Sequence, residues 1–372
     1  MIEENIKYKI AITLIKGIGN SLAKNLIAYI GSEEAIFKEK QKNLAKIPGI
    51  GEVLSKEIVS QDVLKRAEEE LEFILKNKID ALYFTDKNFP YRLKECADSP
   101  IMIYTKGHCN LNDSKFLGIV GTRSATDRGK ENCSKIISDL TIAQPNIVIV
   151  SGLAYGIDIC AHKVALEVGL PTIGVIGHGL DRIYPAAHRP TAVKMLENGM
   201  LLTEYLSKTN PDRQNFVQRN RIIAGLCDAI VVVESAARGG ALITAEIAND
   251  YNRDVFAFPG RVDDEWSAGC NFLIKNNKAS LIETAEDVLR FMNWEKQDTI
   301  SKSIIQTSLF LDLSDEEQSI ITVLRLKQDG IQLNELAILL EKPISKVSSL
   351  LLEMEFKGLV KCLPGNLYRI VK

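Results

Sequence analysis

Arg219, Asn220 and Arg221 stand together near the head of an apolar run, 218–230, with Phe216 just ahead of them. Guanidinium groups beside an aromatic ring suit an unpaired polynucleotide, offering charge to its backbone and a flat face to a base. Three glycine-marked turns add to this set. The first is GTRSATDRG, where Gly121 gives the backbone room and Arg123 carries a planar fork. The second, SGLAYGID, contains Ser151 and Gly152 and leads into a helical stretch with His162 and Lys163. The third is ESAARGGALIT, where Gly239 and Gly240 precede another helix start. Helix starts present unpaired N–H groups and the positive end of the dipole, so all three turns favour anions. Each taken singly is also an ordinary strand-to-helix connection. Phe216 reads equally as a core residue, and one of the two arginines as the internal partner of Asp228 or Glu234.

Catalytic sets are poor. Cys160 and His162 are two residues apart, which on a helix turns them to different faces. Asp158 suits a turn or cap, and Glu204 and Glu234 end strands with no acid/base spacing between them. The four histidines and seven cysteines show neither metal-ligand spacing nor CxxC pairs. Gly174, Gly177 and Gly179 run G-x-x-G-x-G, the wrong order for a dinucleotide fingerprint. The expectation is a binder that is not an enzyme and uses no metal or cofactor.

Such turns need a sheet to hold them. Apolar runs at 116–120, 147–151, 172–177, 200–203, 229–234, 255–258 and 280–283 read as strands buried on both faces. Helical patterns lie between them, as in Ala161, Val164, Ala165 and Val168. The alternation predicts an α/β, Rossmann-like, doubly wound and mostly parallel sheet. In such sheets ligands bind beyond the carboxyl ends of the strands, where the three turns fall.

The pattern divides the chain into a helical module at 1–78, the α/β core at 79–295, a polar linker at 296–313 and a last unit at 314–372. The first module holds Lys16-Gly17-Ile18-Gly19 and Pro48-Gly49-Ile50-Gly51, a tandem that resembles the helix-hairpin-helix motif. Its turns suit a phosphate or a packing partner, and Glu33, Glu34 and Glu52 oppose the former. In the last unit Ser314 and Glu317 form a capping box, and helices at 333–340 and 344–356 bury Val347, Leu350, Leu351 and Met354. Two strands around Pro364-Gly365-Asn366 complete a winged-helix pattern, suited to nucleic acid or to protein contacts.

At 372 residues, 46% hydrophobic and 25% charged, the chain is an ordinary globular one with room for a large core. A net charge of −2 makes any nucleic-acid site local. Apolar runs are too short to span a membrane, and the unpaired cysteine usage points to a reducing cytoplasm.

Taken together, SGLAYGIDICAH, GHGLDRIYPAAH, QNFVQRNRIIAGLCDAIVVVES, GGALITAEIA and VFAFPG resemble the DNA-processing protein A family (DprA, also called Smf). NFPYRLKECADSPIMIYTKG resembles that family's lead-in to its core. The resemblance implies a cytoplasmic, non-enzymatic protein that binds single-stranded DNA, forms a homodimer through the core and helps load the RecA recombinase in natural transformation and recombination. It implies a strand-binding pocket made by Gly121, Arg123, Ser151, Gly152, Phe216, Arg219, Asn220 and Arg221, with Gly239, Gly240 and Lys163 nearby. There are departures: Asp127-Arg128 stand where the family often has an aromatic, His188 replaces a common Asn, and Gly239-Gly240 a Ser-Gly pair.

Two other readings stay open. Arg238-Gly239-Gly240 with Thr244 and Glu246 faintly resembles the PGGxGTxxE motif of lysine-decarboxylase-like phosphoribohydrolases, although the leading proline is absent. A scaffold binding duplex DNA or protein through the flanking modules is the other.

Overall fold

A computed structural model describes residues 2–294, 314–324, 330–340, 342–363 and 366–370. The chain divides into two compact units, Met1–Glu295 and Lys296–Lys372. The linker expected at 296–313, and Pro364-Gly365 of the terminal turn, lie outside the described residues.

The first unit opens with six helices: α1 (Ile2–Leu14), α2 (Asn20–Ile30), α3 (Glu33–Lys38), α4 (Gln41–Leu44), α5 (Gly51–Ser60) and α6 (Leu64–Asn77). The two glycine turns pack reciprocally. Gly17 lies against Leu54 of α5 and Gly49 against Leu22 of α2, both at positive φ, where a side chain would be strained as well as crowded. These helices are not a separate body. Their core continues into Ile79, Tyr83, Ile101, Met102 and Tyr104 of the sheet's antiparallel margin. Buried Glu70 on α6 accepts the Ser207 amide at 2.8 Å, and Asn20 accepts the Ile101 amide at 3.2 Å. The first residue of α2 is thus tied to the sheet margin.

Nine strands follow: β1 (Asp80–Tyr83), β2 (Met102–His108), β3 (Phe116–Val120), β4 (Val148–Ser151), β5 (Thr172–Val175), β6 (Gly199–Thr203), β7 (Ala229–Val232), β8 (Asp254–Ala257) and β9 (Ser280–Leu281). Their order is β1-β2-β6-β5-β4-β3-β7-β8-β9, parallel from β6 to β9 and antiparallel at β1 and β2. The seven expected strands are all present. β1 and β2 were not among them.

Strand alternation splits the core into two layers. Phe116, Val120, Val148, Val150 and Val232 face α7 (Tyr91–Lys94), α11 (Arg213–Leu226), α12 (Gly240–Asp250) and α13 (Ala268–Lys275). Leu117, Ile119, Ile149 and Val231 face α8 (Asp127–Ala143), α9 (Ile157–Glu167) and α14 (Ala285–Phe291). The remaining helix of the unit, α10 (Arg189–Met195), covers Leu201 beside β5 and β6. Successive strands β3 to β6 step one way. The chain then crosses through α11 and resumes at β7 on the other side of β3. That reversal opens a crevice at the carboxyl ends of β3 and β7.

The second unit holds α15 (Asp315–Leu324), α16 (Leu333–Leu339) and α17 (Ile344–Phe356) against a three-stranded sheet ordered β10 (Ile331–Gln332), β12 (Leu367–Ile370), β11 (Val360–Leu363). The capping box forms: the Ser314 amide donates to Glu317 at 3.0 Å and the Glu317 amide to Ser314 Oγ at 3.3 Å. Val347, Leu351 and Met354 are buried, while Leu350 packs at the rim of their cluster. No helix among the described residues is long and apolar enough to cross a membrane.

Candidate functional site

The loops that follow β3 and β7 are tied together at the crevice. The Thr122 amide donates to the Glu234 carbonyl at 2.8 Å, and the Ile157 amide at the start of α9 donates to the Thr122 carbonyl at 3.2 Å. Above them lies a cleft of ≈ 840 Å³, lined by Gly121, Arg123, Phe216, Arg219, Asn220, Gly239 and Gly240 among the residues singled out from the sequence. The structure does bring these seven together.

The cleft's chemistry centres on Arg123 and Phe216. Arg123 is exposed, and its guanidinium carbon lies 5.9 Å from the centre of the Phe216 ring. Phe216 is half-buried, and beyond it Tyr184 stacks obliquely with ring centroids 5.7 Å apart. Phe216 is therefore no core residue. Arg213, Phe216, Val217 and Asn220 all line the cleft, as a helical face at i, i+3, i+4 and i+7 requires.

The three helix starts differ. At α8 the Glu234 carboxylate already occupies the positive end, accepting from the Thr126 amide at 2.8 Å and the Thr126 hydroxyl at 2.5 Å. At α9 the Asp158 carboxylate accepts the Gly152 amide at 3.2 Å and holds the turn. At α12 no side chain caps the first turn, and Gly239 and Gly240 are exposed. The expectation that all three starts serve anions narrows to this one, because two already hold carboxylates.

Four of the expected residues do not line the cleft. Ser151 is fully buried and donates to the Ile119 carbonyl at 2.6 Å. Gly152 lies under the Arg219 guanidinium, where a Cβ would approach Nη1 to 1.9 Å. Its missing side chain makes room for that arginine. Lys163 is exposed on α9 and is not among the cleft residues. Arg221 is held in an internal ion pair with Glu204, and its Nη1 donates to the Asp98 carbonyl at 2.7 Å. Burial pushes the Glu204 carboxyl up, and the Arg221 charge opposes that. These bonds use two of its five N–H donors, and the side chain, 13% exposed, is turned to its internal partners and away from the cleft lining.

Arg219 is intermediate. It lines the cleft yet is only 3% exposed, donating from Nη1 to the Val175 carbonyl at 2.7 Å. Its Nε has no partner among the described residues. Burial lowers its pKa to about 10, leaving it charged at neutral pH, with Asp158 as counter-charge and Arg123 opposing. Asp228 and Glu234, the other candidate partners for these arginines, are engaged elsewhere. Asp228 binds Arg92 at 2.6 Å, and Glu234 holds α8.

Two cleft arginines were missed. Arg213 and Arg238 are exposed, line the cleft and form no ion pair with a described residue. Arg213 was legible three residues before Phe216 on the same helical face. Arg238 was legible inside the Gly239-Gly240 turn.

Comparison with known proteins places this geometry. The family model described as DNA recombination-mediator protein A matches residues 80–293. The chain belongs to that family. A model of the DprA winged helix domain matches 311–366, and one of the SAM-like helix-hairpin-helix tandem matches 10–61. Protein Smf of Synechocystis sp. is 37% identical over 273 residues, covering 72% of this chain and 68% of that one. The X-ray structure of DNA processing protein A from Streptococcus pneumoniae is 33% identical, with a TM-score of 0.66 over 76% of this chain and 97% of that one. DNA processing protein A from Helicobacter pylori, whose structure is described for its single-stranded DNA binding mode, is 28% identical. Its TM-score is 0.52, over 61% of this recombination-mediator chain and 97% of that one.

Proposed function

We propose that the cleft binds single-stranded DNA without strong sequence preference, and that the protein thereby promotes loading of the RecA recombinase in DNA uptake and recombination. The observation that carries the binding step is the exposed Arg123 guanidinium set over the half-buried Phe216 ring at the sheet's switch point. Arg213 and Arg238 add charge along the same cleft, and Arg219 adds charge beneath it. Such groups contact phosphate and any base face, neither of which encodes sequence. A duplex keeps its bases stacked inside and offers no face to Phe216. Loading a recombinase and pairing as a homodimer rest on membership of a recombination-mediator family.

Fluorescence polarisation with single- and double-stranded oligonucleotides tests the binding step. Arg123→Ala is expected to weaken single-strand binding about tenfold or more, in keeping with roughly 1.5–3 kcal/mol for a charged hydrogen bond. It should also reduce the salt slope by about 0.7, one phosphate's worth. Arg221→Ala behaves differently: it strands buried Glu204, destabilising the fold by roughly 3–5 kcal/mol, and leaves the salt slope unchanged. Equal affinity for duplex and single strand, or an unaltered slope in Arg123→Ala, overturns the reading. RecA loading is checked by following filament growth on strands coated with single-strand-binding protein, with and without this chain.

The hydrolase reading finds less support. Glu246, its only acidic motif residue, lies in the cleft but is paired with Lys278 at 3.0 Å.

A further inference from the structure

We propose that Trp266 is a second base-stacking platform in the cleft that Phe216 lines, so that one bound strand meets two aromatic rings. This rests on the single-strand reading of the cleft. It assigns a role to a loop, between β8 and α13, that carried none.

The backbone of that loop is fastened while the ring is left over. The Trp266 carbonyl accepts the Ser235 amide at 2.9 Å, joining the loop to the turn after β7. Its own amide donates to Asp264 at 3.2 Å, and Ser267 closes the same carboxylate at 2.5 Å. The ring is half-buried, lines the cleft and belongs to no hydrophobic cluster among the described residues. A large indole held on a rigid loop, yet outside every core, is suited to stacking on something that comes and goes. Phe272, 49% exposed, and Arg238 also line the cleft.

The two rings are anchored beyond different strands. Phe216 packs on Gly177, just past β5, where an added Cβ would come within 3.0 Å of the ring, while Trp266 is bonded to the turn after β7. From β5 to β7 the sheet takes three steps through β4 and β3, roughly 14 Å at ~4.8 Å each. A strand stacked at ~3.4 Å per nucleotide places about four nucleotides across that gap. The ligand class is therefore an oligonucleotide.

The chain contains two tryptophans, and the other, Trp294, is buried in the core. Both rings emit, but only Trp266 lines the cleft, so a change in emission on binding reports on Trp266. Oligothymidylate is expected to quench wild-type emission, and the quench to vanish in Trp266→Phe, which keeps a stacking ring and binds within about twofold of wild type. Trp266→Ala should lose about fivefold or more in affinity, the equivalent of one stacked base. A quench that survives in Trp266→Phe, or wild-type affinity in Trp266→Ala while Arg123→Ala still weakens binding, overturns the platform and leaves the single-strand reading intact. Failure of all these proteins, wild type included, to bind oligothymidylate would sink that underlying reading instead.

Discussion

His162 shows how much polar structure lies beneath the cleft. It is fully buried, with Nδ1 2.7 Å from the Thr172 hydroxyl and no partner for Nε2 among the described residues. Burial first, then the charges of Arg219 and His188, lower its pKa from 6.5 to about 3. The folded protein therefore refuses a proton that the unfolded chain accepts. Stability from this residue is fully present above pH 6.5 and is lost as pH falls from there toward 3. Melting temperatures followed down that range should fall less steeply in His162→Gln than in wild type. Parallel curves would show that the imidazole is not what resists protonation. The arginines teach a related lesson at the same scale. Arg219 and Arg221 are two residues apart on α11, about 200° around the helix, so they could not share one target. Sequence proximity grouped them, and helical geometry separates them. The spacing that does count, Arg213 with Phe216 and Asn220, was equally visible in the letters.

At the scale of elements, the turn after β7 positions the site. Glu234 joins it to α8 through both Thr126 donors, so Glu234→Ala should cost about 2–3 kcal/mol, read by chemical denaturation. An unchanged midpoint would mean that the Thr122 amide bond to the Glu234 carbonyl holds the two loops alone. The parallel strands were legible because burial on both faces leaves uninterrupted apolar runs such as 147–151. β1 and β2 were not. β1, DALY, opens on an exposed Asp80 and is buried only at Tyr83, and β2 ends in Lys106, Gly107 and His108, polar where it runs out toward solvent. Sheet order was legible only as a class, since no local pattern says that α11 carries the chain across β3. The anion preference of each helix start was likewise invisible. It depends on which carboxylate arrives from elsewhere, Glu234 from more than a hundred residues away at α8 and Asp158 from within α9 itself.

For the whole molecule, the hydrophobic clusters predict what can be cut. Ile320, Leu336, Val347 and Leu351 form a core wholly within the second unit. A segment beginning ahead of Ser314 should therefore melt cooperatively by itself. The opening helices should behave otherwise, because their core includes Tyr83, Ile101 and Tyr104 of the sheet margin. Removing 1–78 strips that face, and the truncated chain is expected to aggregate; a monodisperse, cooperatively melting product in size-exclusion chromatography would contradict the shared core.

The nine-stranded sheet ends in a four-residue strand on one side and a two-residue strand on the other. Such stubs carry few dangling amides and carbonyls, too few to recruit a neighbour's backbone into a continuous ribbon. Copies of this chain brought close together are thus not fused edge to edge through their sheets.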